Sequence, residues 1–175
     1  MKLKPTYKMP FKRRREGKTD YKKRLKLLVS KKPRLVVRKS LKYIRAQIVE
    51  FDKKGDKTIV STSSQELKKM GWKFSTDNLP SAYLVGLIIG KKALKKDVKE
   101  AVLDSGLYPS TKGSRIYAVV KGAVDAGLAI PVDEKVFPGE ERIKGSHIAK
   151  HMRRFKDLPE EFEKIKQKIM GEKSG

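Results

Sequence analysis

The chain contains no cysteine and is short of acidic residues, with 20 Asp and Glu against 44 Lys and Arg. Without cysteine there is no disulfide framework, no thiolate nucleophile and no Cys-based zinc site. The longest apolar stretch, residues 82–89, is far shorter than the roughly 20 residues that a membrane-spanning helix needs. The basic N-terminus lacks the apolar core of a signal peptide. We therefore expect a soluble intracellular protein that makes no contact with a membrane.

Positive charge is what the chain has in excess, a formal +24 at neutral pH. A charge of this size is rarely tolerated unless an anionic partner neutralises it. Residues 1–50 contain 19 Lys and Arg against 3 Asp and Glu, whereas residues 51–175 contain 25 against 17. The first 50 residues thus hold two thirds of the excess. A nucleic acid is the expected partner, bound mainly by the N-terminal part.

Residues 1–18 are predicted to form a basic N-terminal arm. The segment 1–17 shows neither a helical nor a strand period, and Pro5 and Pro10 interrupt it. It buries too little apolar surface to order itself, so we expect it to order on a polyanion, with Tyr7 and Phe11 able to stack on bases. A solvated tail that only maintains solubility is the alternative.

Three strand-like runs follow a short basic helix, which Thr19 is expected to cap and Pro33 to end. The runs cover 34–40, 43–51 and 57–63, and their short connections favour an antiparallel meander. Their alternation places apolar residues on one face of the sheet. The opposite face presents polar side chains suited to RNA, which are Arg34, Arg38, Ser40, Tyr43, Arg45 and Gln47.

The remaining elements predict a mixed α/β sheet with helices packed on it. They are a polar linker over 64–79, a helix opened by Pro80, a short strand over 100–104, a helix from Ser114 or Arg115 to about Ala126, an edge strand over 128–132, a basic helix over 146–155 and a last helix from Pro159. We expect residues 19–132 to form one α/β RNA-binding domain. Residues 133–175 would form a C-terminal helical extension.

Catalytic and metal-binding patterns are weak. The run Gly86 to Lys92 has three residues between its glycines where a P-loop has four, and no Ser or Thr follows Lys91. His147 and His151 have the spacing of two metal ligands on a helix but lack the Glu of that motif. A nuclease of the two-metal kind needs clustered carboxylates, whereas Asp104 and Asp125 are scattered and typical of turn or helix-end hydrogen bonds. The sequence therefore predicts neither an enzyme nor a cofactor or metal site.

The loop from Ser110 to Arg115 is the strongest candidate site in the second half of the chain. It precedes a predicted helix, whose free N–H groups and dipole attract an anion. Gly113 lets a phosphate approach the backbone, Ser114 is placed to cap the helix, and Lys112 and Arg115 supply charge. The alternative is a plain helix cap in which Lys112 and Arg115 are solvated.

Eight stretches together resemble one protein family. In chain order they are RRREGKTDY (13–21), RLKLL (24–28), RLVVR (34–38), AVLD (101–104), TKGSR (111–115), KGAVDAG (121–127), VFP (136–138) and EERI (140–143). In this order, and over nearly the whole chain, they resemble the 5S-rRNA-binding large-subunit ribosomal proteins of the L-eighteen family, in its archaeal and eukaryotic form.

The resemblance implies a mixed sheet of the ribonuclease-H-like type without catalysis. It also implies a place in the central protuberance of the cytoplasmic ribosome, among large-subunit rRNA and neighbouring ribosomal proteins, with 5S rRNA held by the arm and the polar sheet face. The family usually has Asn near the end of the first strand, where this chain has Leu41. A nonspecific nucleic-acid-binding or compacting protein is the alternative function.

Residue patterns and resemblance together give one set of expected RNA contacts. They are Lys12, Arg13, Arg14, Arg15, Lys18, Tyr21, Arg24, Arg34, Arg38, Ser40, Tyr43, Gln47, Lys112, Gly113, Ser114 and Arg115.

Overall fold

Four strands form one mixed sheet in the computed structural model, which describes residues 6–171. The strands are β1 (Arg34–Lys39), β2 (Ile44–Glu50), β3 (Lys57–Ser63) and β4 (Val102–Asp104). Their order is β3-β2-β1-β4, with the first three antiparallel and β4 parallel to β1. The predicted mixed α/β sheet that begins with a meander is confirmed.

Helices account for most of the rest of the described chain. They are α1 (Lys12–Arg15), α2 (Tyr21–Val29), α3 (Gln65–Lys69), α4 (Leu79–Leu94), α5 (Arg115–Asp125), α6 (Glu140–Lys144), α7 (Ser146–His151) and α8 (Leu158–Gly171), with 3-10 turns at Glu134–Val136 and Arg153–Phe155. In residues 6–171 no helix combines the length and the apolar character needed to cross a membrane.

One face of the sheet is buried beneath α4 and α5. Strand alternation points Leu35, Val37, Ile44 and Ile48 inward, where each is fully buried. The helices α6 and α8 pack on α4. Lys91 of α4 donates from Nζ to the carbonyl oxygens of Ile169 and Met170 in α8, at 2.5 and 2.7 Å. The opposite face of the sheet, called here the open face, carries none of these helices.

Two glycines let α4 and α5 touch backbone to backbone. A Cβ at Gly86 would overlap the carbonyl oxygen of Val119, and one at Gly122 would overlap the carbonyl oxygen of Tyr83. Alanine at either position would therefore push the helices apart. The glycine-rich run that looks like a P-loop lies inside α4, where Gly86 serves this helix contact instead of a phosphate.

Several local predictions need correction at the N-terminal end. Asp20 caps α2 instead of Thr19, because its carboxylate accepts from the N–H groups of Lys22 and Lys23, at 3.0 and 3.1 Å. The segment expected to lack regular structure contains the short α1, beside which the rings of Phe11 and Tyr21 lie 5.2 Å apart. The expected interruption by Pro5 lies outside the described residues.

Other corrections concern the connections. The expected linker 64–79 contains α3. Leu67 in α3 and Trp72 just after it are buried in the core, and these two large apolar side chains suffice to anchor so short an element. The expected edge strand 128–132 is a single bridge between Glu100 and Ala129. Pro131 follows closely, and a proline has no N–H to extend a ladder. The expected helix 146–155 breaks at Met152, whose backbone is extended.

Candidate nucleic-acid interface

A pocket of about 580 Å³ opens between the sheet, α2 and the end of the basic arm. Its floor is the open face, and its rim is formed by α2 and by the loop that follows β4. Its walls bring together sequence-predicted residues from four separate stretches of the chain, namely Arg13, Lys18, Tyr21, Arg24, Arg34, Arg38 and Gln47.

Arg34 lies at the floor of this pocket and is 2 % exposed. Its guanidinium donates from Nη1 to Asp104 Oδ2 at 2.8 Å and from Nη2 to Asp56 Oδ2 at 2.6 Å. An unpaired buried charge is strongly unfavourable, so the two carboxylates are what allow a cation at this depth. Arg34, one of the predicted RNA contacts, is therefore the centre of an internal ion-pair network.

Arg24 joins α2 to the same network from above. It forms a bidentate pair with Asp56, with both N–O distances at 2.8 Å. The neighbouring Lys23 donates to the Ser105 hydroxyl and to the Gly106 carbonyl, both at 2.9 Å. No residue of α2 is buried. The helix is therefore held over the open face mainly by polar contacts.

The Arg38 guanidinium is held in place at the end of β4. It donates to the Asp104 carbonyl at 2.7 Å, to Asp104 Oδ1 at 3.0 Å and to its neighbour's carbonyl at Val37, 2.8 Å away. Gly106 makes room for this arrangement, because a Cβ there would stand 2.8 Å from Arg38 Cζ. The Arg38 side chain remains 42 % exposed, so it presents a guanidinium of fixed orientation to solvent.

The two carboxylates of the network stay ionised. Burial by itself would raise the pKa of Asp104, but attraction to Arg38, the Gly106 N–H and Arg34 outweigh burial and lower it. The hydrogen bond from Arg24 is the main cause that lowers the pKa of Asp56, with Arg34 adding to it against partial burial. The ion-pair network therefore combines three arginines with two negative charges and keeps a net positive charge.

A second group of predicted residues meets at the end of the sheet where β1 turns into β2. The Ser40 hydroxyl accepts from the Tyr43 N–H at 3.0 Å and so closes this turn. The Tyr43 ring lies 5.7 Å from the Arg45 guanidinium. Leu41, at the tip, is 96 % exposed. The Thr76 hydroxyl binds the Lys42 carbonyl at 2.7 Å, which brings the start of α4 to the same end.

The loop before α5 lies beside the start of α4. Arg115 donates to the Asp77 carbonyl at 2.8 Å and is ion-paired with the Asp77 carboxylate. Lys112 is exposed, and Gly113 has a left-handed backbone with φ of +65°. Ser114 stands at the N-cap position, but the expected cap bond is absent, since its buried hydroxyl has no hydrogen-bond partner among residues 6–171.

The cations of the arm are mostly exposed. Arg13 donates to the Thr19 hydroxyl at 2.9 Å, while Lys18 and Lys12 lie 2.9 and 3.9 Å from Glu16. Arg14 and Arg15 are exposed on α1. These side chains are free to rearrange on a ligand, in contrast to the fixed arginines of the open face.

Sequence reasoning missed the residues that organise the site. Asp56, Lys23 and Gly106 are absent from the set of predicted contacts. The signal available for Asp56 was its position, together with Asp52, as one of two acids in the turn that leads from β2 to β3. Asp104, which the sequence marks as typical of a structural hydrogen bond, is held by Arg34 and Arg38.

The other catalytic candidates occupy structural positions. Asp125 accepts from the Tyr83 hydroxyl at 2.8 Å and lies 3.1 Å from Lys121 Nζ. Burial, together with this carboxylate, raises the pKa of Tyr83. Within residues 6–171 there is no group of three or more His, Cys, Asp or Glu that would hold a metal ion.

Two comparisons with known proteins agree with one another. The model of a family described as "Ribosomal large subunit proteins 60S L5, and 50S L18" matches residues 5–100 and 95–133. A protein of Methanococcus maripaludis named "Large ribosomal subunit protein uL18" is 48 % identical over 191 aligned residues. That alignment covers 97 % of this chain and 99 % of the relative.

Proposed function

Since the chain belongs to the family of large-subunit ribosomal proteins 60S L5 and 50S L18, we propose that it binds 5S rRNA and anchors it in the central protuberance. Membership makes the protein a structural component of the large subunit of the cytoplasmic ribosome and not an enzyme. It also associates the chain with large-subunit rRNA and proteins. The proposal adds which RNA it binds and through which surface.

The observation that carries the proposal is the convergence of predicted contacts on one pocket. Residues of the arm, α2, β1 and β2 line it, although they are far apart in sequence. Arg38 and Arg45 offer guanidinium groups at the open face, and Tyr21 and Tyr43 offer rings on which unpaired bases stack. A surface with fixed cations and rings suits a folded RNA of defined shape.

The arm supplies the second part of the binding energy. Its exposed cations neutralise phosphates, which releases counterions and makes affinity fall steeply with salt. The open face contributes shape selection because its arginines are held in place by Asp56 and Asp104. We therefore expect the arm to contribute affinity and the open face to contribute discrimination.

A binding titration tests both statements. The full chain is titrated against 5S rRNA, tRNA and duplex DNA of similar length at near-physiological salt. We expect a preference for 5S rRNA of about a hundredfold or more, which lies within the range of specific over nonspecific binding. Equal affinity for all three would favour the nonspecific binding or compacting protein and overturn the proposal.

Removal of residues 1–17 separates the two contributions. We expect the truncated chain to lose more than about tenfold in affinity for every RNA, because phosphate contacts are lost. Its preference for 5S rRNA should persist, and circular dichroism should show an intact sheet. Loss of the preference together with the arm would assign discrimination to the arm and contradict the division proposed here.

A further inference from the structure

Residues 150–156, called here the α7–α8 segment, form a second concentration of positive charge. Their sequence, KHMRRFK, contains four Lys and Arg and no acidic residue. The segment covers the end of α7, the break at Met152 and the 3-10 turn Arg153–Phe155. The next acidic residue, Asp157, stands immediately before α8. The expected function of the open face makes no use of this segment.

The cations of the α7–α8 segment are exposed and unpaired. Lys150, Arg153, Arg154 and Lys156 are each solvent-exposed. No carboxylate of residues 6–171 lies within ion-pair distance of any of them. Their charge is therefore fully available to an external anion.

Although its cations are unpaired, the segment is anchored to the body of the protein. The Phe155 ring packs edge-on against Phe74 with 5.9 Å between centroids, and Phe74 packs against Trp72 at 5.4 Å. The Arg154 guanidinium lies 4.6 Å from the Phe155 centroid. An aromatic ring thus supports one arginine, and arginine planes supported in this way stack on bases.

The segment and the pocket of the open face are separate surfaces. The residues that line the pocket all fall between Arg13 and Gly106. The α7–α8 segment instead belongs to the layer of α6 and α8, which packs on α4 on the other side of the sheet. An RNA element seated in the pocket therefore leaves this segment free.

We propose that the α7–α8 segment binds a second RNA segment through its phosphate backbone, so that the protein joins two RNA segments from opposite sides of its sheet. This inference rests on the proposed function, since it takes the open face as the site of 5S rRNA. RNA is the favoured ligand over an acidic protein because the segment offers arginine planes as well as charge. The exposed lysines 95, 96 and 99 differ from the α7–α8 segment because acidic residues accompany them: Asp97 lies among them and Glu100 follows.

The test uses a triple variant and a charge-matched control. The variant carries Lys150→Gln, Arg153→Gln and Arg154→Gln, and the control carries Lys95→Gln, Lys96→Gln and Lys99→Gln. Full-length protein is first saturated with 5S rRNA, and a labelled short RNA duplex is then titrated into the complex. We expect the wild type and the control to capture the duplex. The triple variant should lose at least about tenfold in duplex affinity, and the slope of log affinity against log salt should fall by about three.

Affinity for 5S rRNA alone distinguishes this inference from the proposed function. The triple variant should bind 5S rRNA within about twofold of the wild type, because a site remote from the segment keeps its own phosphate contacts. A large loss would make the segment part of the 5S site and overturn the inference. Unchanged duplex capture by the variant, or equal losses in variant and control, would overturn it as well.

Two further measurements cover the remaining outcomes. If 5S rRNA does not bind, the proposed function fails. The inference is then decided by the number of RNA duplexes that each free protein chain binds, compared between the wild type and the triple variant. The triple variant must bind one duplex fewer than the wild type, and an equal number would overturn the inference. Capture of a polyglutamate peptide in place of the duplex would assign the segment to an acidic protein and overturn it too.

Discussion

The open face and the α7–α8 segment are both positively charged, but they hold their charges in opposite ways. On the open face, Arg24, Arg34 and Arg38 are each paired with Asp56 or Asp104. In the α7–α8 segment, the cations have no carboxylate partner among the described residues. Pairing fixes a guanidinium in one orientation and reduces its net charge, whereas an unpaired cation keeps its charge and adapts to its ligand.

The cations behind the net charge of +24 therefore fall into two groups with different structural roles. Paired arginines are part of the folded core of the site, so their removal affects stability. Unpaired surface cations affect binding and leave stability nearly unchanged, since exposed substitutions usually alter it by less than about 0.5 kcal/mol. This contrast is open to measurement in the free protein, before any RNA is added.

The largest effect is expected from Asp104→Asn. The change leaves Arg34, which is 2 % exposed, with only one carboxylate, and breaking a buried pair destabilises proteins by about 3 kcal/mol or more. We expect a decrease near the lower end, about 3 kcal/mol, in the free energy of unfolding measured with urea. The triple glutamine variant of the α7–α8 segment is the control and should stay within about 0.5 kcal/mol. If the two variants had equal free energies of unfolding, the claim that only the paired charges of the open face affect stability would be wrong.

A smaller effect is expected from Gly106→Ala. Its φ of +62° disfavours alanine, a strain of about 1–2 kcal/mol, and the new methyl group would also displace the Arg38 guanidinium. The control is Gly113→Ala, which has a similar φ of +65° but meets only the Cα of Pro138, at 4.0 Å. Thermal or urea unfolding should show a greater loss for Gly106→Ala. A loss no greater than that of the control would mean that Arg38 moves aside freely.

The smallest effect is the acid dependence of the Asp56 contacts. The pKa of Asp56 in the folded protein lies below its ordinary value of 3.8, so its ionised form stabilises the fold. That contribution is complete above this value and disappears as the pH falls through the folded pKa. The stability difference between the wild type and Asp56→Asn should be full at neutral pH and shrink in acid. Asp52→Asn is the matched control, since it removes an exposed carboxylate that has no ion pair among residues 6–171.

The sequence allowed the faces of the sheet to be predicted but not the ion pairs on them. Alternation along β1 and β2 places Leu35 and Val37 inward and Arg34 and Arg38 outward, because the strand period depends only on neighbouring residues. The partners of Arg34 lie 22 and 70 residues away in sequence. No local pattern encodes such a pairing, so the buried depth of Arg34 was not foreseen.

Short elements with few apolar residues were also missed. The stretch that contains α3 was expected to be a polar linker, because Leu67 and Trp72 are too few to reveal a helical period. Both are nonetheless almost fully buried. The predicted cap of α2 is Thr19, and the observed cap is Asp20. This shift of one position is within the usual uncertainty in locating a helix end.

The polar attachment of α2 has a consequence for how the free protein moves. Leu25 and Val29 are 65 % and 74 % exposed, so α2 opens without exposing a hydrophobic core to water. Its amide protons should exchange with solvent well before those of α4, which is buried along most of its length. Added salt weakens the exposed ion pair of Arg24 with Asp56, and hydrogen exchange in α2 should therefore accelerate as salt is added. We therefore expect α2 to open before α4, and the difference in exchange rate between these two helices to grow as the ionic strength rises.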